Sequence, residues 1–113
     1  MDGIEPGSLV IVNIAKPREK VWGLLIRLDA VGVVIRGLDL NSVEDWLAQQ
    51  RLGAEQLISP STFFVPTHRI LRIDLEEEGG VVESFGDRYT AACGGDVRGA
   101  LIGAQDGAER SDA

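Results

Sequence analysis

Between Ser8 and Leu40 the chain runs as three short apolar stretches separated by polar or turn-forming residues. "SLVIVNI" (Ser8–Ile14) is β-branched and short, which suits a buried strand. "AKPREK" (Ala15–Lys20) is polar and contains a proline, so it reads as a loop. "VWGLLIRLDA" (Val21–Ala30) reads as a second strand, and Gly23 in its interior predicts a bend or bulge. "VGVVIRGLDL" (Val31–Leu40) reads as a third, after a tight turn at Asp29-Ala30 and Gly32.

At Asn41 the period lengthens. In "NSVEDWLAQQRLG", Val43, Trp46 and Leu47 fall at i, i+3, i+4. Asn41 or Ser42 precedes them as N-cap, Glu44 and Asp45 occupy the first turn, and Gly53 is placed to stop the helix. A short amphipathic helix over about 41–53 is therefore inserted between strands. "TFFV" (Thr62–Val65) predicts a fourth strand and "RILRIDLE" (Arg69–Glu76) a fifth. In the fifth, Leu71, Ile73 and Leu75 alternate with Arg72 and Asp74, and Ile70 is an apolar residue on the polar side. Pro66 interrupts the run between them, because it lacks a ladder donor and fixes φ. Past Glu78 the pattern dissolves: residues 79–113 hold eight of the 14 glycines. The expectation is one β-domain over 1–78 and a Gly-rich acidic extension over 79–113. Residues 79–90 are expected to dock loosely and 91–113 to be mostly disordered. Five short strands with few ways to hide their edges predict a mainly β fold, a small, strongly bent five-stranded barrel with one helix between strands three and four and a flexible tail.

At 113 residues there is room for one small core and no second domain. Eleven basic residues face 18 acidic ones, net −7, which argues against a broad grip on nucleic acid or anionic membrane. The single cysteine and single histidine leave no metal cluster and no disulfide within one chain. The start "MDGIEPGS" is acidic and not signal-like, and no apolar run approaches the roughly 20 residues of a membrane span. The expectations are a cytoplasmic protein with no membrane association, no metal and no cofactor.

The second and third strands carry Gly23, Leu25, Leu28 and Asp29 in a spacing that resembles the first motif of the Sm-like family, Hfq among its members. Gly32 and Val33 stand at that motif's Met-Asn positions. Pro66, Thr67, His68, Arg69 and Ile70 stand where Hfq has a Tyr-Lys-His-Ala-Ile-like second motif, with His68 and Ile70 matching. The resemblance covers about residues 8–76. It implies a homo-oligomeric ring in which the fourth strand of one subunit pairs with the fifth of the next, through Phe63, Phe64, Val65, Ile70 and Ile73. It also implies an RNA-related role, with His68, Arg69 and Arg36 as the contact candidates. Departures weaken that role: Val33 replaces the base-reading Asn, Arg36-Gly37 lies on the third strand, and no N-terminal helix fits before Ser8. Weak RNA binding is the expectation.

Each candidate also has a plainer reading. His68 reads first as a bend residue whose ring hydrogen-bonds nearby backbone, since no nucleophile forms a motif with it. Arg27, Arg36, Arg69 and Arg72 are either a phosphate-binding face or a solvated one paired with Asp29, Asp39 and Asp74. Trp22 and Trp46 are core before they are stacking platforms. The acids from Asp74 to Glu78 read as a solvated strand end. Cys93 has no basic neighbour closer than Arg88 and Arg98, and "AACGGD" lacks the Lys-Ser/Thr of a phosphate loop. No residue is assigned as catalytic, and a non-enzymatic regulatory or scaffolding barrel follows. A protein partner fits that role as well as RNA does. The rival is a monomeric or dimeric SH3-like protein-interaction barrel with no nucleic-acid role.

Overall fold

The structure, a computed structural model, describes residues 3–53, 57–77 and 83–103. It is mainly β: β1 (Leu9–Ile14), β2 (Glu19–Leu28), β3 (Gly32–Asp39), β4 (Ser61–Pro66) and β5 (Ile70–Leu75) form one antiparallel sheet in the order β4-β3-β2-β1-β5. Helix α1 (Val43–Leu52) lies between β3 and β4, as the change of period predicts. The sheet is bent but does not close into the expected barrel, and β4 and β5 remain its two edges.

Both faces of the sheet are buried. The inner face gathers Val10, Val12, Ile14, Val21, Leu25, Val33, Ile35 and Val65. The outer face presents Leu9, Trp22, Leu24 and Leu38 to α1, whose Val43, Trp46 and Leu47 complete that second core. Double burial is why β1 to β3 read as nearly unbroken apolar runs and not as clean alternation.

Two bulges correct the expected registers. The β2–β3 pairing passes from Leu25↔Ile35 to Arg27↔Val34, so Ile26 is an extra residue and stands exposed. The bulge thus falls three residues after Gly23, which instead pairs with Gly37 where the two backbones approach closely. The β1–β5 pairing passes from Asn13↔Arg72 to Ile14↔Ile70, so Leu71 is skipped and exposed. That slip turns Ile70 and Ile73 toward the same core and explains the apolar exception in the fifth strand.

The capping of α1 also differs in detail. Asp39 accepts from Asn41 N and opens a 3₁₀ turn at Leu40–Ser42. Ser42 precedes α1 with no side-chain cap bond, and Gly53 closes α1 with φ +65°.

The extension departs most from expectation. Helix α2 (Phe85–Cys93) starts at a capping box, with Ser84 Oγ accepting from Asp87 N and the Asp87 carboxylate accepting from Ser84 N. Glu76, expected to be solvated, accepts from the Trp22 indole (2.8 Å) and from Phe85 N (3.2 Å), tying β5, the core and α2 together. A third helix, α3 (97–103), lies on the outer face and buries Val97 and Leu101 completely. The expected disorder of 91–113 therefore fails for 91–103, because the outer face needs more apolar cover than α1 supplies. Residues 104–113 lie outside the described residues.

Asp96 opens α3: its Oδ1 accepts from Arg98 N at 2.9 Å, and Arg98 Nε donates to Gly7 O at 2.6 Å. The Arg98 backbone N–H chiefly holds the Asp96 carboxyl below the usual range; burial opposes it, and the Arg98 guanidinium adds to the lowering. A depressed folded-state pKa stabilises above the unfolded value and loses that contribution as pH falls through the folded one. The cap is worth about 1 kcal/mol. Urea unfolding from neutral to acidic pH should therefore show a loss in the parent that Asp96→Asn, which keeps the cap without the charge, lacks. Identical slopes would remove Asp96 from the account.

Candidate functional site

The bend between β4 and β5 is a 3₁₀ turn, Thr67–Arg69. It is fastened at both sides. Thr67 N donates to Val31 O (2.9 Å) and its hydroxyl to Ala30 O (2.7 Å), holding it to the β2–β3 turn. Arg69 Nε donates to Ala15 O (3.1 Å), and Ala15 N donates to Arg69 O (2.8 Å), holding it to the end of β1. The bend thus spans from the start of β3 to the end of β1.

His68 is in the bend, but it is not the anchor that the sequence reading expects. Its side chain is exposed and makes no hydrogen bond among the described residues. The neighbours on either side do the fastening. His68→Ala should consequently shift stability by no more than about 0.5 kcal/mol, the usual range for an exposed position. A urea-unfolding loss above 1 kcal/mol would restore it to a structural role.

Arg36 is not available to a ligand. It is buried under α3, where Nε donates to Leu101 O at 2.9 Å, and burial pushes its pKa below the ordinary arginine value. Its place near the C-terminal end of a helix suits a cation. Val33, at the position of the family's base-reading Asn, is fully buried in the inner core. Of the three contact candidates, the bend brings His68 and Arg69 together and Arg36 lies apart.

The expected interface residues divide in the same way. Val65 is buried, and Phe63, Ile70 and Ile73 pack partly buried against the inner core, so they serve the fold. Phe64 alone projects, 46% exposed. On the opposite edge Leu71, 53% exposed, projects furthest and Leu75 is also exposed, although sequence alternation assigned both to the core face. For Leu71 the only signal in the sequence was the misplaced Ile70.

Arg27 and Arg72 pair with Asp29 and Asp74 on exposed surface. Sequence reading overlooked Lys16 and Arg18 on the β1–β2 turn, which the bend places beside Arg69 through Ala15, and Lys20 at the start of β2. All three are exposed and have no ion-pair partner among the described residues.

An open groove of about 480 Å³ separates α1 from α2, lined by Glu44, Leu47, Arg51, Arg88, Tyr89 and Cys93 among others. Arg88 bridges it to Glu44 at 2.8 Å. Burial, and then proximity to Cys93, raise the Tyr89 hydroxyl above its ordinary pKa. Beneath it Trp46 stacks on Tyr89 and leans on Trp22, and the Trp46 indole N–H is buried without a partner among the described residues. These groups pack the helices together; none forms an acid–base pair.

Among the described residues no three His, Cys, Asp or Glu side chains gather to hold a metal ion, and no helix is long and apolar enough to cross a membrane. No family model, curated protein or solved structure matches this chain.

Proposed function

We propose that the chain is a non-enzymatic, Sm-like oligomerising module with a regulatory or scaffolding role, related to RNA by family resemblance and weak in RNA binding. One observation carries the reading. Among the described residues the open sheet ends in two unpaired edges, β4 and β5, with large apolar side chains exposed on each, Phe64 on β4 and Leu71 and Leu75 on β5. Exposed edges with apolar side chains are templates for pairing with another chain. Two different edges on one molecule favour a head-to-tail contact, which closes into a ring when the rotation permits.

Weak RNA binding follows from the bend. The family's base-reading position is a buried valine and Arg36 is enclosed, so of the three contact candidates only His68 and Arg69 remain at the surface. Dissociation constants for short oligo-U should exceed about 10 μM at physiological salt, the range of non-specific contacts.

Light scattering at micromolar concentration should give the mass of a closed oligomer, with five to seven copies expected from the resemblance. Phe64→Lys or Leu71→Lys alone should shift it toward smaller species, because a charge on an edge opposes strand pairing. A single-chain mass for the parent would overturn the ring and leave the SH3-like interaction domain in its place.

A further inference from the structure

Charge is strongly segregated in this protein. Residues 13–20 and 66–73, brought together by the bend and by β1–β5 pairing, hold Lys16, Arg18, Lys20, Arg69 and Arg72 with Glu19 as the single acid, net +4. The remaining 97 residues carry six basic and 17 acidic side chains, net −11. Lys20, Asn13 and Arg72 are direct cross-strand neighbours on β2, β1 and β5, so they share the outer face in one row about 10 Å long. Arg69 and the turn carrying Lys16 and Arg18 meet at Ala15, at the start of the free β5 edge. Arg72 is held by Asp74, whose other oxygen accepts from Asn13 at 3.0 Å.

We infer that the β5 edge and its basic flank form a docking site for an extended acidic polypeptide segment, which competes with the β4 strand of a neighbouring copy for that edge. The inference deepens the assembly reading above and rests on its premise that the β5 edge is open to pairing. Three observations select the occupant. First, a free strand edge offers backbone N–H and C=O groups that match a polypeptide backbone and not a sugar-phosphate one. Second, the cluster contains no aromatic ring except the His68 imidazole, so it has little on which bases could stack. A long polyanion leaving the cluster would also run onto the acidic remainder. Third, β4 itself, "STFFVP", is uncharged. Homotypic pairing would leave the positive end uncompensated, whereas an acidic strand supplies carboxylates and backbone together. The exposed Leu71 adds an apolar contact for a side chain of the segment.

The test uses the full chain and a fluorescein-labelled peptide of alternating glutamate and valine, followed by fluorescence anisotropy. Binding should be at least about fivefold tighter than for an alternating lysine–valine peptide and should weaken as salt rises from about 50 to 200 mM. Arg18→Glu with Lys20→Glu, at two exposed positions, should weaken it at least fivefold with the circular dichroism spectrum unchanged. A central proline in the peptide should do the same by removing a ladder donor. Saturating peptide should lower the light-scattering mass of any oligomer.

Equal binding of the lysine–valine peptide, indifference to the charge reversal or to the proline, or tighter binding of oligo-U would each overturn the inference. The two proposals fail separately. A single-chain mass with intact peptide binding refutes the ring alone. A ring that ignores the peptide refutes the docking site alone.

Discussion

Gly37→Ala should destabilise the protein by about 3 kcal/mol or more, at or beyond the top of the range for overpacking. A Cβ at Gly37 would lie 2.0 Å from the Trp22 carbonyl oxygen and 2.8 Å from the Gly23 Cα. At its ladder partner Gly23, a Cβ would lie 2.3 Å from the Arg36 carbonyl oxygen. All of these neighbours are backbone atoms of the central β2–β3 pair, so no side chain can rotate away to make room. The strands must separate, and the pairing that joins the two halves of the sheet weakens. For a domain near this size, about 3 kcal/mol corresponds to a melting-temperature loss of roughly 12 °C or more. Gly53→Ala is the control. Gly53 has a positive φ but open space around it, so the backbone penalty of about 1–2 kcal/mol applies without a clash. If Gly37→Ala melts no lower than Gly53→Ala, close backbone approach is not what glycine provides at that pair.

Leu101→Ala should cost about 2–4 kcal/mol, the range for a buried leucine that leaves a cavity. Leu101 is fully buried in the outer core with Leu9, Trp22, Leu24, Leu38, Val43 and Trp46. Ile102, its neighbour on α3, is 41% exposed and should cost well under half as much when cut to alanine. The contrast between adjacent positions tests whether α3 docks by the face described. The urea midpoint should fall for Leu101→Ala with little change in slope, since the same surface unfolds. A midpoint unchanged in both variants would mean that the helix contributes nothing, the outcome expected if 91–113 were disordered.

What could be read of the candidate site follows the same division. The interruption at Pro66 correctly marked a sharp turn between two strands, because proline's missing donor is a local property. The identity of the fastening groups was not local. Thr67 and Arg69 bond to Ala30 and Ala15, 37 and 54 positions away, and no pattern near His68 reveals those partners. Arg36 misled for a related reason. On paper it is a strand arginine beside a glycine, and its burial depends on a helix that begins some sixty residues later. The basic cluster was missed because Lys16, Arg18 and Lys20 read as an ordinary polar loop until β1–β5 pairing sets that loop beside Arg69.

Local pattern along the chain was enough for the elements that depend on neighbours a few positions apart. These are the five strands, from β-branched runs between turn residues, and α1, from Val43, Trp46 and Leu47 at helical spacing with Gly53 as its stop. The nearly continuous apolar runs of β1 to β3 marked buried strands, but the expectation drawn from them was a barrel and not an open sheet covered on both faces. What covers the outer face depends on long-range packing. "VRGALIGA" is a poor helix by propensity, with Gly99 and Gly103, but it gains the burial of Val97 and Leu101 and the bond from Arg36. Packing supplied what local preference lacked, and it likewise placed the bulges that expose Ile26 and Leu71, since a register is a relation between two strands and is written in neither alone.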